Sequence, residues 1–122
     1  MVRDDIASRQ VWLDRKTGAL AHLPKQAIAI ESSTVTIGWA QELSQACIAH
    51  GASFIDAPVA GSRKQAETAQ LIFFAGGNAE SVLRAEPILK AMGCAVHYLG
   101  PAGSGAAMKL AVNACLVRKL QC

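Results

Sequence analysis

Short apolar runs alternate with segments of helical spacing along this sequence, and that alternation limits the folds open to it. Four runs have the length and the β-branched or aromatic content of strands: Ala27 to Ile30, Ser53 to Asp56, Leu71 to Phe74 and Ala95 to Tyr98. Helical segments separate most of these runs. The pattern therefore predicts an α/β fold around a mainly parallel sheet of about four or five strands.

Capping residues mark the predicted helix ends. Start signals occur at Asp4 or Asp5, Thr36 and Asn78, and stop signals occur at Gly51 and Gly93. Pro87 lies inside the helix that follows Asn78, where it should kink or restart the helix because it lacks an N–H group. The connection from Asp56 to Leu71 has room for a helical crossover or a loose hairpin, so the direction of the Leu71 strand stays open.

Composition and charge exclude several classes of protein. The net charge is +3, but the basic residues are scattered and aromatic residues make up 5% of the chain, so we expect no nucleic-acid partner. No continuous apolar stretch is long enough for a membrane helix. No apolar stretch follows the charges at the start, and we expect a cytoplasmic protein. The four cysteines are too dispersed to predict a metal site, and we expect reduced, mostly buried thiols.

The segment from Gly103 to Asn113 carries the first candidate chemistry. Lys109 is the only charged residue between Lys90 and Arg118. Such a lysine either reaches water from an apolar helix or lies in a cleft, where it can act in acid–base catalysis. Asn113 follows four residues later, on the same face of the predicted helix, where it could orient a substrate oxygen.

Two turns at the carboxyl ends of strands are candidate binding sites. The turn Ala60-Gly61-Ser62 follows Asp56 and Pro58 and could offer backbone N–H groups to a carboxylate. Ser33 and Thr34 follow the first strand, at the edge where open α/β sheets bind ligands. Taken separately, each segment is better explained as an ordinary turn.

Taken together, these motifs resemble the β-hydroxyacid dehydrogenase family, which includes 3-hydroxyisobutyrate dehydrogenase and glyoxylate/succinic semialdehyde reductase. The matching segments cover nearly the whole chain: Asp4-Asp5, Val11 to Leu13, Glu31 to Thr34, Phe54 to Val59, Gly76-Gly77, Met92-Gly93, and Gly103 to Gly105 with Lys109 and Asn113. The runs Ser62 to Lys64 and Met108 to Leu110 are more similar to the glyoxylate/succinic semialdehyde reductase branch.

The resemblance implies a role for each candidate residue. Lys109 would exchange a proton with the substrate oxygen, and Asn113 would position the substrate. The turn Ala60-Gly61-Ser62 would bind a small carboxylate substrate, while Ser33 and Thr34 would lie near the nicotinamide of NAD or NADP. The family usually has serine where this chain has Ala60, so one hydroxyl to the carboxylate is missing.

The family's glycine-rich G-x-G-x-x-G turn has no match in this sequence. Residues Gly100 to Gly105 do not replace it, because no acidic residue follows about 20 positions later to bind a ribose. We therefore interpret residues 1–105 as the second half of a Rossmann-type NAD(P)-binding domain. Residues 106–122 would begin an interdomain helix, with the second, helical domain absent. This chain alone is not expected to bind the cofactor.

Two functions remain open from the sequence. The first is a fragment of an NAD(P)-dependent hydroxyacid dehydrogenase or aldehyde reductase, inactive alone. The second is a non-enzymatic, self-associating α/β domain that keeps an anion-binding turn. In both, apolar residues around the final helix predict a homo-oligomer.

Overall fold

Helices and strands alternate along most of the chain in the computed structural model, which describes the backbone of residues 1–121 and the side chains of residues 1–115. The helices are α1 (Asp5–Leu13), α2 (Ala19–His22), α3 (Ile37–His50), α4 (Arg63–Glu67), α5 (Ala79–Met92) and α6 (Ser104–Gln121). The strands are β1 (Ile28–Glu31), β2 (Ser53–Asp56), β3 (Val59–Ala60), β4 (Leu71–Gly77) and β5 (Gly93–Gly100). The predicted α/β class with a long last helix is confirmed.

The five strands form one sheet, in which β1 pairs with β2, and β4 pairs with β2, β3 and β5. The β1–β2 and β4–β5 ladders are parallel and have four and six residue pairs. The ladders of β4 with β2 and β3 are antiparallel and have two pairs each. The predicted mainly parallel sheet is confirmed, and the direction of the Leu71 strand, open from the sequence, is antiparallel to β2.

The return from β2 to β4 explains that reversal. Pro58 lacks an N–H group, and the strand pairing resumes beyond it as β3. Gly61 then adopts a φ of 141°, a conformation that favours glycine, and the chain enters the short helix α4. The connection is thus a hairpin that contains a helix. Neither β3 nor α4 was predicted from the sequence.

The core lies on both faces of the sheet. On one face α3 packs with Ala106 of α6, and on the other face α5 packs over β2 and β4. The predicted N-caps at Asp4, Thr36 and Asn78 are confirmed, since each side chain accepts a backbone N–H of the helix that follows. The three layers place the carboxyl ends of β1 and β2 beside the start of α6.

For Pro87 one of the two expected outcomes is excluded, and the expectation for the cysteines is corrected. Pro87 does not restart its helix, because α5 runs without interruption from Ala79 to Met92. Cys47 is buried, and burial raises the pKa of its thiol to about 11, but Cys94 and Cys115 are exposed. The expectation of mostly buried thiols is therefore wrong for two of the three cysteines whose side chains are described.

Neither a membrane span nor a metal centre is found in the part of the chain that the structure describes. Its helices are too short or too polar to cross a bilayer. In the same residues, His, Cys, Asp and Glu side chains do not gather into groups of three or more that could hold a metal ion.

Candidate functional site

Asp56 joins the end of β2 to the start of α6. Its carboxylate is buried and accepts the Gly103 N–H at 2.9 Å through Oδ1 and the Ala106 N–H at 2.8 Å through Oδ2. Both amides belong to the first turn of α6 or its boundary, where N–H groups have no partner within the helix. The negative charge also faces the positive end of the helix dipole. Asp56 therefore holds the last helix against the sheet edge.

Small residues allow this close approach. A Cβ atom at Gly105 would lie 2.2 Å from the carbonyl oxygen of Phe74, and one at Gly76 would lie 2.6 Å from Asp56 Oδ1. Such distances are far below van der Waals contact, so both positions require glycine. The glycines near α6 thus serve helix–sheet packing.

The same contacts decide what the glycine-rich turn before α6 can bind. A strand, a glycine-rich turn and a helix N-terminus form a common cradle for phosphate groups. Here the position of the anion is filled by the Asp56 carboxylate, which already accepts two of the amides. The turn from Gly100 to Gly105 therefore does not fit the diphosphate of a dinucleotide.

Helix α6 carries the predicted acid–base residue. Lys109 and Asn113 are both half-buried and lie one turn apart on an uninterrupted helix, as their spacing predicts. Neither side chain lines any of the three described cavities. Their catalytic and substrate-binding roles stay predictions.

In the predicted carboxylate turn, the N–H of Ser62 is bound by a side chain of the protein itself. The Ser62 N–H donates to Gln65 Oε1 at 2.7 Å, and the Ser62 hydroxyl contacts the same oxygen. Gln65 thus occupies the place of a carboxylate oxygen, while Ala60 ends β3 and Gly61 forms the bend. Gln65 was not predicted from the sequence, although serine followed three residues later by glutamine is the pattern of a capping box.

The predicted cofactor-contacting turn lies beside α6. Thr34 is exposed and lines a cavity of about 450 Å³ that Leu110 of α6 also lines. Ser33 is buried and lines a separate cavity of about 450 Å³ with Trp12. The largest described cavity, of about 1050 Å³, lies between α3 and the start of α5 and contains none of the predicted site residues. The fold therefore brings Thr34 and α6 to one cavity.

Glu31 ends β1 and is buried in a cluster of hydrogen-bond donors. Its carboxylate accepts the Ser8 hydroxyl at 2.5 Å, the Trp12 indole N–H at 2.9 Å and the Ser33 N–H at 2.8 Å. Burial acts to raise the pKa of the Glu31 carboxyl, but hydrogen bonds from Ser8, Ser33 and Trp12 outweigh it and hold that pKa below its ordinary value. The sequence marked Glu31 only as part of a matching motif.

Glu31 and Asp56 are neighbours across the β1–β2 ladder. They are paired residues of the parallel register, and both side chains are buried. None of the ion pairs between described side chains includes either residue. Uncharged donors therefore stabilise two adjacent carboxylates at the edge where β1 and β2 end.

With this geometry established, comparison with known proteins identifies the family. Residues 1–100 match the NAD binding domain of 6-phosphogluconate dehydrogenase. The chain belongs to this family. Its expected Rossmann-type fold is thereby confirmed.

The relatives show the resemblance found in the sequence. Glyoxylate/succinic semialdehyde reductase 2 of Arabidopsis thaliana is 41% identical over 98 residues, which are 80% of this chain and 27% of that protein. The structure of Mycobacterium tuberculosis 3-hydroxyisobutyrate dehydrogenase with L-serine is 33% identical, with a TM-score of 0.88, and the match covers 95% of this chain and 38% of that one. Psf3, solved with NADP+ and 2-OPP, is 26% identical with a TM-score of 0.84, and the match covers 88% of this chain and 38% of Psf3.

The matched length limits what these relatives say about this chain. It spans between about a quarter and two fifths of each of them. A complete site in those proteins can draw on residues that have no counterpart in these 122. The activity of a whole relative is therefore not transferred to this chain as a finding.

The role of Asp56 can be tested by replacing its carboxylate. We predict that Asp56→Ala lowers the free energy of unfolding by about 3 kcal/mol, because it leaves two N–H groups at a buried helix end without an acceptor. Formate is small enough to enter the space and accept them. It should raise the melting temperature of Asp56→Ala by several degrees above the effect of equimolar chloride.

Asp14→Ala is the matched control, because the Asp14 carboxylate accepts two backbone N–H groups at an exposed turn, where water can replace it. Formate should leave that variant and the wild-type protein unchanged. Equal stabilisation of all three proteins by formate would contradict the role of Asp56 as the acceptor for the start of α6.

Proposed function

We propose that this chain supplies the acid–base and substrate-contacting part of an NAD(P)-dependent hydroxyacid dehydrogenase or aldehyde reductase. The observation that carries the proposal is the Asp56 bridge. It fixes the helix that bears Lys109 to the strand that leads into the turn Ala60-Gly61-Ser62. The named activities of two similar proteins, a glyoxylate/succinic semialdehyde reductase and a 3-hydroxyisobutyrate dehydrogenase, support a small hydroxy acid or oxo acid as the substrate.

Each proposed role uses chemistry that the residue can supply. Lys109 gives a proton to the substrate oxygen in reduction and accepts one in oxidation. Asn113, one turn along α6, orients the same oxygen. The N–H groups of the turn Ala60-Gly61-Ser62 bind the substrate carboxylate once Gln65 rotates away from Ser62. Ala60 offers no hydroxyl, so substrate affinity rests on the backbone donors.

The cofactor, NAD or NADP, is held only in part by these residues. When bound, it would exchange a hydride with the substrate. Thr34 fits the nicotinamide end, because it is exposed at the cavity shared with α6, and the buried Ser33 would support the same turn. The diphosphate does not fit the turn before α6, because Asp56 occupies it. We propose that residues 1–105 form part of the cofactor domain and that residues 106–122 lead towards a second domain.

A chimera tests the catalytic assignment. Residues 1–113 of this chain would replace the corresponding part of the Arabidopsis reductase, and NADPH oxidation with glyoxylate would be followed by absorbance. We predict an active chimera in which Lys109→Met lowers kcat about a hundredfold or more, because the proton donor is lost. Asn113→Ala should mainly raise KM.

Lys90→Met serves as the control, because Lys90 lies on the exposed side of α5 and pairs with Glu86. It should keep the kcat of the parent chimera. An active chimera that retains its kcat without the Lys109 amine would refute the assignment. The isolated chain should bind NADPH with a Kd above the low micromolar range. A lower Kd would refute the proposal that this chain holds only part of the cofactor.

Self-association through α6 is a second proposed role. Met108 and Leu110 are 38% and 40% exposed, so apolar surface on this helix is open to a partner. A second copy could cover it around a two-fold axis. Sedimentation equilibrium at micromolar concentration should give the mass of a dimer, and Leu110→Glu should shift it to the monomer. A monomeric wild-type chain would contradict this role.

A further inference from the structure

Donors from two parts of the chain meet at Glu31. Ser8 and Trp12 come from α1, and the Ser33 amide comes from the turn after β1. Trp39 of α3 joins them indirectly, because its indole N–H donates to the Ser8 hydroxyl at 2.7 Å. Both tryptophans of the chain therefore belong to one hydrogen-bonded cluster around a single carboxylate.

The turn that leads to Thr34 is held at both ends. At its start, Glu31 accepts the Ser33 N–H. At its end, Asp5 accepts the Thr36 N–H at 2.9 Å and the Thr36 hydroxyl at 2.5 Å. Helix α1 contributes to both anchors, because it contains Asp5 and supplies two donors to Glu31. Between these anchors, Thr34 is exposed and lines the cavity beside α6, which the buried Val35 also lines.

We propose that Glu31 is a positioning residue, which sets the shape of the Ser33–Thr34 turn and so presents Thr34 to the nicotinamide end of the cofactor. The inference rests on the proposed function for the identity of the ligand. Its structural part, the control of the turn by Glu31, can be measured separately.

A carboxylate suits this task better than a neutral acceptor. Its two oxygens can accept bonds from the α1 donors and from the Ser33 amide together, and bonds to a charged acceptor are about twice as strong as neutral ones. Glutamine has nearly the same shape, but its NH₂ group cannot accept a hydrogen bond. Glu31→Gln therefore forces either the Ser33 amide or the α1 donors to lose their acceptor.

Ser8→Ala is the matched control. It removes one donor to Glu31 and leaves the Trp39 indole without its acceptor, but it keeps the bond between Glu31 and Ser33. The two substitutions disturb the same cluster and differ in whether the turn loses its anchor. A merely structural role of Glu31 would make their effects on the turn alike.

The experiment records amide and indole resonances of the isolated chain by two-dimensional NMR, with nicotinamide mononucleotide as the probe. This molecule carries the nicotinamide and one phosphate, so it does not require a diphosphate cradle. We expect Glu31→Gln to shift the Ser33 and Thr34 amides and to weaken probe binding at Thr34 about tenfold or more. Ser8→Ala should shift the indole resonances and keep the affinity of the wild-type protein.

The experiment separates two claims: that Glu31 shapes the Ser33–Thr34 turn, and that this turn contacts the cofactor. If Glu31→Gln is folded and leaves the Ser33 and Thr34 amides and the probe affinity unchanged, the positioning role is overturned. If the probe shifts no resonance of the turn even in the wild-type chain, the cofactor contact in the proposed function fails. The amide positions in Glu31→Gln then still decide whether Glu31 shapes the turn.

A second variant covers the case in which Glu31→Gln does not fold. Glu31→Asp keeps the charge but is one methylene shorter, so it cannot reach the Ser33 amide and the α1 donors together. It should give a smaller change of the same kind at Ser33 and Thr34. Wild-type amide positions and wild-type probe affinity in Glu31→Asp would overturn the proposal.

Discussion

Two buried carboxylates that form no ion pair with the described side chains constrain this fold more than any other feature. Moving a charge out of water is costly unless hydrogen bonds replace its hydration. Glu31 and Asp56 are paired in the β1–β2 register, so both carboxylates need donors at the same edge of the sheet. Amide, hydroxyl and indole donors supply the stabilisation, and they come from α1, from the turn after β1 and from the start of α6. The two carboxylates are therefore stabilised only while α1, the turn after β1 and the start of α6 stay packed against the ends of β1 and β2.

This electrostatic requirement connects the fold to the proposed chemistry. The elements that stabilise the two carboxylates are those that carry the proposed functional residues: the turn with Thr34 and the helix with Lys109. The same requirement explains why a glycine-rich turn before a helix is not a phosphate site here. Asp56 accepts two of the N–H groups that a phosphate would otherwise bind at the start of α6.

The sequence predicted the features that depend on neighbouring residues. Strand runs and the caps Asp4, Thr36 and Asn78 were confirmed because β-branched content and capping act within a few residues. It did not predict β3, because two residues after Pro58 carry no periodic signal. The direction of β4 also stayed open, since the connection from Asp56 to Leu71 is long enough for either direction.

The candidate site shows the same division between local and distant contacts. Spacing alone placed Lys109 and Asn113 one turn apart on a helix. The partners of Asp56 lie 47 and 50 residues away along the chain, and no sequence pattern marks such a contact. Gln65 was visible in a local capping pattern but was not recognised. Burial of Cys47 and exposure of Cys94 depend on packing between elements, so composition could not separate them.

Native-state hydrogen exchange of individual amides tests the central claim, that Asp56 holds the start of α6 against the sheet. The Gly103 and Ala106 amides should exchange only through global unfolding, with the same free energy of opening as the amides of the central strand β4. Exchange of these two amides through a local opening of much lower free energy, while β4 stays protected, would contradict the account.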